Sequence, residues 1–372
     1  MKICFLFNKL SSRDGWGSYA VNLIGNLSKQ GINCSVLLSV QSQQNELSSI
    51  EKHKVLPPLF VNRWIKIYIL IKNFFKIRKL IQEADIVHVL AEPYSLIAYW
   101  TCHKRPILIT LHGTYAVDAL NKWYLKGLYS RIYKKAVYLI CVSQFTKEEV
   151  LKKINSLKNI IVINNGVDYK KFQMYNLFKH LSDNKNIISV GALMPRKGYH
   201  VSILAVVEVK KKYSNLKYYI IGNQKNKEYF DQLKNLIKKN NLEENVIFLE
   251  NVSEKDLIKF YYQSDLFLLT PIYIEGSKFE GFGLVYLEAN ACGKPAIGTY
   301  DCGAEDAIVD RFNGLLVPQN NIEKTSQAIL RILDNSILAE ELGQNALKQA
   351  QKMNWSNIIK QYIKIYEDFY KK

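Results

Sequence analysis

Ten short apolar or β-branched runs recur along this chain, each followed by a stretch with helical spacing, and few folds accommodate that alternation. "KICFLF", "NCSVLLSV", "DIVHVL", "PILITL" and "AVYLICV" fall in the first half; "NIISVG", "KYYIIG", "NVIFLE", "DLFLLT" and "KPAIGT" fall in the second. Unbroken apolar runs suit strands buried on both faces, as in parallel sheets covered by helices. The pattern therefore predicts an α/β protein with two Rossmann-like parallel-sheet domains in series. A length of 372 residues agrees with two domains. Periodicity fails over 164–186, which reads as an interdomain linker. The expected division is 1–180, 181–355 and a C-terminal helix over 356–372 that packs on its own domain or crosses back to the first.

Several classes are excluded. The apolar run after Lys2 ends at Asn8, too short for a secretory signal, so a cytoplasmic protein is expected. The most apolar long segment, "WIKIYILIKNFF", is interrupted by Lys66 and Lys72 and does not read as a membrane span. Six cysteines without C-x-x-C spacing read as reduced, buried thiols. The histidines show no metal-ligand pair, so no protein-only zinc site is expected. Charge is uneven: residues 1–185 hold 27 Lys and Arg against 11 Asp and Glu, whereas residues 186–372 hold 24 against 22. A basic first domain suggests an anionic partner, such as a membrane surface, a phosphorylated acceptor or nucleic acid, or else a solvated lysine-rich surface.

Four stretches can carry chemistry. In "SSRDGWGSYA", Gly15, Trp16 and Gly17 follow a strand and open a helix, whose first amides favour a phosphate; a bland tight turn would give the same letters. In "SVGALMPRKGYH", Arg196 and Lys197 stand at a helix start, where cations oppose the dipole unless an anion such as a diphosphate lies between them; an exposed basic turn would give the same letters. His112 follows the strand in "LITLHGTYAV", at the end of a parallel sheet where ligands bind, and could donate a hydrogen bond to a sugar hydroxyl or to a developing charge, or else be merely structural. His88, inside "DIVHVL", reads as a core residue. In "EGFGLVYLEANACGKP", Gly281, Phe282 and Gly283 lead into a helix at Leu284, and Leu284, Leu287 and Ala291 share one face. Glu288 lies one position round from Leu287 and could accept from two ribose hydroxyls.

With these stretches in hand, the chain resembles the retaining glycosyltransferases of family 4 over nearly its whole length. The strongest element is Glu280-x7-Glu288; "DGWGSY", "LHGTY", "VINNGVD", "VGALMPRKG" and "DCGAEDAIVDRFNGLLV" support it in the family's order. The resemblance implies the GT-B fold, with a nucleotide-sugar donor in the interdomain cleft. It implies that Glu280 holds donor-sugar hydroxyls, Glu288 the ribose, and Lys197 with Arg196 the diphosphate. The amides of Gly15 to Gly17 and of Gly281, Phe282, Gly283 and Leu284 would cradle phosphates, and His112 would lie beside the reacting sugar. No cofactor or metal is expected: the nucleotide-sugar is a co-substrate, and none of the thirteen aspartates forms a D-x-D pair. Ala192 stands where many relatives carry arginine, and Glu275 imitates the first glutamate at the wrong spacing.

The expected reaction is retaining transfer from a UDP- or GDP-sugar to a glycan, lipid-linked or lipopolysaccharide-type acceptor. The alternatives are a GT-B epimerase or phosphorylase, or a non-catalytic basic binder. Nucleic acid is not an expected partner of the enzyme. The segment 62–81 reads as a basic helix with Lys66, Lys72, Lys76 and Lys79 on one arc and Trp64, Ile67, Leu70, Ile71, Phe74 and Phe75 mainly opposite. It either packs on the first sheet or rests on an anionic membrane surface, at the inner face of the cytoplasmic membrane.

Overall fold

A computed structural model describes residues 1–12, 14–43, 46–174, 184–274, 276 and 278–370. The chain forms two compact units, Met1–Gly166 together with Trp355–Lys372, and Val167–Asn354. The expected boundary at 180/181 lies outside the described residues. What is described of the 164–186 segment includes a short helix, Tyr169–Gln173, that belongs to the second unit, where Tyr262 donates to the Phe172 carbonyl at 3.0 Å.

The first unit is a seven-stranded parallel sheet. Its strands are β1 (Lys2–Leu6), β2 (Asn33–Ser39), β3 (Glu51–Leu56), β4 (Ile86–Val89), β5 (Ile107–Leu111), β6 (Tyr138–Cys141) and β7 (Ile160–Val162), in the order β3-β2-β1-β4-β5-β6-β7. The second unit has six: β8 (Asn186–Val190), β9 (Lys217–Ile221), β10 (Val246–Leu249), β11 (Leu266–Leu268), β12 (Ala296–Thr299) and β13 (Gly314–Val317), in the order β10-β9-β8-β11-β12-β13. All these pairings are parallel, so the intervening helices cover both faces and the strands become core. Ile3 to Leu6 and Ile187 to Ile188 are fully buried. In each unit the order reverses beside the first strand, between β1 and β4 and between β8 and β11. That reversal opens a crevice at the carboxyl ends, where ligands of such sheets sit.

The helix Trp355–Tyr370 belongs to the first unit and packs along the helix Gly15–Lys29. A buried polar chain ties the two to the sheet. His88 Nδ1 lies 2.7 Å from the Tyr366 hydroxyl and Nε2 2.9 Å from Thr110 Oγ1, and Tyr19 bridges Thr110 at 3.0 Å and Tyr362 at 2.8 Å. Burial holds the His88 imidazole neutral, with its pKa lowered to about 3. His88 is thus a core residue, and its two ring nitrogens are both satisfied. Removing one partner strands a buried polar atom. Tyr366→Phe should therefore cost about 1–3 kcal/mol, read as an earlier first transition in urea unfolding; an unchanged midpoint would contradict the role given to this chain.

Candidate active site

In the first unit the crevice is lined by the loops after β1, β4 and β5. Ser11 to Asp14 turn the chain into the helix Gly15–Lys29, and Gly17 is required there: a Cβ would stand 1.8 Å from the Ser11 carbonyl oxygen. Asp14 caps this helix, accepting from the Gly17 amide at 2.8 Å, and is paired with Lys9 at 2.8 Å. The cradle expected at Gly15 to Gly17 is therefore corrected in part. The Gly17 amide already serves a carboxylate, and the amides of Gly15 and Trp16 precede it at the same end. The Trp16 ring stands 5.8 Å from His112 and 4.7 Å from Tyr115.

His112 is fixed from three directions. Its amide donates to Glu92 Oε1 at 2.5 Å, its Nε2 lies 3.0 Å from the Leu90 carbonyl, and Tyr19 meets its ring edge-on at 4.6 Å. Burial lowers its pKa to about 4, so the ring is neutral at pH 7, and Nε2 must carry the proton because a carbonyl only accepts. The expectation that His112 donates to a sugar hydroxyl is thereby reversed. Nε2–H is committed to Leu90, and Nδ1 presents a lone pair.

In the second unit, Pro195–Lys197 form a turn of 3₁₀ helix before the helix Tyr199–Lys210. Gly198 joins them with φ at 69°, close enough to β11's end that a Cβ would lie 1.7 Å from the Thr270 carbonyl oxygen. This locks the turn against the sheet and aims both cations at one carboxylate. Glu280 Oε2 receives Lys197 Nζ at 2.6 Å and Arg196 Nη1 at 2.8 Å. Burial alone would raise the Glu280 carboxyl, but the charges of Lys197 and Arg196 overcome it and hold the group at about 2. Burial lowers the Lys197 pKa, and Glu280 works against that fall. Arg196 is thus the second cation on Glu280, and Ala192 brings none.

Gly281, Phe282 and Gly283 follow directly and are buried. Gly283 begins the helix Leu284–Ala291 with no side-chain cap, which leaves the first amides without the carboxylate that Asp14 provides elsewhere. Leu287 and Ala291 are core and Leu284 is half-buried. Glu288, also half-buried, accepts from the Tyr261 hydroxyl at 2.9 Å, and burial raises its pKa while that hydrogen bond opposes the rise. The structure thus joins Glu280 to Arg196 and Lys197, and Glu288 to Tyr261 instead. Glu275 lies outside the described residues.

Three participants escape sequence reasoning: Tyr261, Tyr19 and Glu92. Tyr261 sits 27 positions before its partner on another helix, and Tyr19 looks like any buried residue of its helix face. Glu92 carried a signal, being a lone carboxylate at the end of the run "IVHVLA" that contains β4. It is 1% exposed, and burial pushes its carboxyl up to about 8.

Two parallel-sheet units of this topology are those of the GT-B fold of sugar-transfer enzymes. Residues 13–171 match the family model described as Glycosyltransferase Family 4, and residues 176–349 match that of Glycosyl transferases group 1. The chain is 31% identical to an uncharacterised glycosyltransferase of Methanocaldococcus jannaschii, over 93% of this chain and 92% of the other. It is 28% identical to the capsular polysaccharide biosynthesis glycosyltransferase CapM of Staphylococcus aureus, over 69% of this chain and 68% of CapM. Anabaena HepE, solved in complex with UDP and glucose, superposes with a TM-score of 0.78 at 18% identity, covering 99% of both chains. The chain belongs to the family 4 glycosyltransferases.

Glu92 makes the first unit's stability depend on pH. Its folded value of about 8 lies above its ordinary 4.5, so its contribution is complete below pH 4.5 and is lost as pH rises through 8. The melting temperature should fall from about pH 5 to about pH 8 and level off above, and Glu92→Gln should flatten that fall while keeping an acceptor for the His112 amide. An equally steep fall in the variant would show that another group carries it.

Proposed function

We propose that the protein is a retaining glycosyltransferase that moves a sugar from a UDP- or GDP-linked donor to a glycan, lipid-linked or lipopolysaccharide-type acceptor, without a metal, at the cytoplasmic face of a membrane. The observation that carries this reading is the convergence of Lys197 and Arg196 on Glu280 beside an uncapped helix start. Breaking a glycosyl–phosphate bond places negative charge on the departing diphosphate and positive charge on the sugar. Two fixed cations and the amides at Leu284 are suited to the first; a carboxylate held ionised is suited to the hydroxyls next to the second.

In this reading the diphosphate takes over Lys197 and Arg196 from Glu280, and the freed carboxylate accepts from donor-sugar hydroxyls. Glu288, oriented by Tyr261, takes the ribose hydroxyls. His112, neutral and protonated on Nε2, accepts from a sugar hydroxyl through Nδ1. Glu280 is a binding group and not a nucleophile, and retention follows from attack on the face the leaving phosphate vacates, with that phosphate accepting the acceptor's proton. The UDP and glucose bound by HepE support a nucleoside-diphosphate donor, and the capsular role of CapM supports a surface-glycan acceptor.

A panel of UDP-, GDP- and ADP-sugars, scored by thermal stabilisation and slow donor hydrolysis with and without EDTA, tests the assignment. One UDP- or GDP-sugar should stabilise the protein and be hydrolysed at the same rate in EDTA, releasing the sugar first with the donor's anomeric configuration. Loss of turnover in EDTA, or the opposite anomer, would refute the mechanism. Lys197→Ala should lower kcat by at least about 100-fold, the usual effect of deleting one preorganised group that stabilises transition-state charge. Its thermal transition should stay cooperative, because Arg196 still neutralises Glu280; undiminished turnover would remove Lys197 from the reaction.

A further inference from the structure

The helix Arg63–Gln82 does not bury its apolar residues in the manner of its neighbours. It is held to the first unit by Ile77 and Ile81, which are fully buried, with Leu70 and Phe74 half-buried above them. Trp64, Tyr68, Ile71 and Phe75 point away instead, at 65, 65, 70 and 80% exposure. Their spacing of four, three and four residues makes a continuous ridge along the outer face of the helix. At 100° per residue Lys72, Lys76 and Lys79 run along one flank of that ridge and Arg78 along the other. Lys66, expected on the lysine arc, is half-buried and donates to the Leu59 carbonyl at 2.5 Å. The lysines and the apolar residues therefore do not oppose each other across the helix. They share its solvent side.

The same pattern continues nearby. The helix packs on Ser95–Thr101, which packs on Trp123–Lys135, and there Trp123 is 88% exposed beside an exposed Tyr124. Neither Arg63–Gln82 nor Trp123–Lys135 contains an Asp or Glu. No described helix is long and apolar enough to cross a membrane. An exposed row of Trp, Tyr, Ile and Phe beside unopposed lysines has the chemistry of the bilayer interface, where aromatic rings sit at headgroup depth and ammonium groups reach phosphates. A second copy of the chain would instead set six cations of this helix against six.

We propose that this face docks on an anionic phospholipid bilayer. The helix Arg63–Gln82 lies flat, Trp64, Tyr68, Ile71 and Phe75 enter the interfacial layer, Lys72, Lys76 and Lys79 meet lipid phosphates, and Trp123 and Tyr124 give a second anchor. The proposal deepens the lipid-linked acceptor reading above, but binding is measured without turnover, so the two can fail separately. Full-length protein is floated with phosphatidylcholine vesicles, with and without phosphatidylglycerol, at physiological salt. Wild type should float only with the anionic vesicles, and its tryptophan emission should shift to the blue by an amount that Trp64→Phe reduces.

Lys72→Glu/Lys76→Glu/Lys79→Glu should lower the partition coefficient by roughly 100-fold, since each lysine near an anionic surface contributes on the order of fivefold. Trp64→Ser/Ile71→Ser/Phe75→Ser should lose binding even at low salt. All six positions are exposed, so both variants should retain the wild-type melting temperature and donor hydrolysis. Wild type that stays with the soluble fraction, variants that float like wild type, or a wild-type dimer that the serine variant turns into a monomer would each overturn the proposal.

Discussion

Two cations and one carboxylate oxygen form the charge cluster on which the second unit's site rests. Glu280 Oε2 holds Lys197 at 2.6 Å and Arg196 at 2.8 Å in a largely buried setting. A carboxylate buried there alone would be driven to its neutral form, and two cations without an anion would repel each other. Together they form a net positive triad, held in place by the Gly198 turn on one side and by the Gly281–Gly283 loop on the other. That excess positive charge is suited to a diphosphate, the ligand proposed for this site. The uncapped start of Leu284–Ala291 extends that field through backbone amides.

The parallel sheets explain why these residues can meet at all. In each unit the parallel strands all release the chain at the same rim, so residues far apart in sequence share it. Arg196 and Glu280 are separated by 84 positions, yet they follow β8 and precede β12. In the first unit the same logic brings Trp16, Glu92 and His112 to the ends of β1, β4 and β5. The polar chain from Tyr366 through His88 and Thr110 to Tyr19 then anchors the wall against which His112 rests.

Much of the architecture was legible because a doubly covered strand must be apolar throughout. The ten strands read from the sequence are all present, and the three it does not reveal, β3, β7 and β13, are edge strands. β3 begins "EKHK" with its first four residues exposed or half-buried, β7 is three residues long, and β13 opens with Asn313-Gly314, which reads as a turn. Edges lack the second neighbour and the full burial that write the pattern. Arg196, Lys197, Glu280 and Glu288 stand out in the sequence as candidates because glycine turns and charge make them conspicuous. The tautomer of His112, the capping of Gly17 by Asp14 and the support of Glu288 by Tyr261 do not. Each depends on which partner a side chain finds in space. The helix Arg63–Gln82 is the instructive failure: periodicity set its lysines opposite its apolar residues, whereas packing turns Ile77 and Ile81 inward, half-buries Lys66 and leaves Trp64, Tyr68, Ile71 and Phe75 on the solvent side with Lys72, Lys76 and Lys79.

In the proposed mechanism Glu280 occupies Lys197 and Arg196 until a diphosphate displaces it. Titration calorimetry of a bare nucleoside diphosphate against wild type and Glu280→Gln tests it most directly. Removing the carboxylate's charge leaves both cations to the ligand, so the account predicts tighter binding by the variant, the opposite of what deleting a ligand-binding residue normally does. Equal or weaker binding by Glu280→Gln would contradict it.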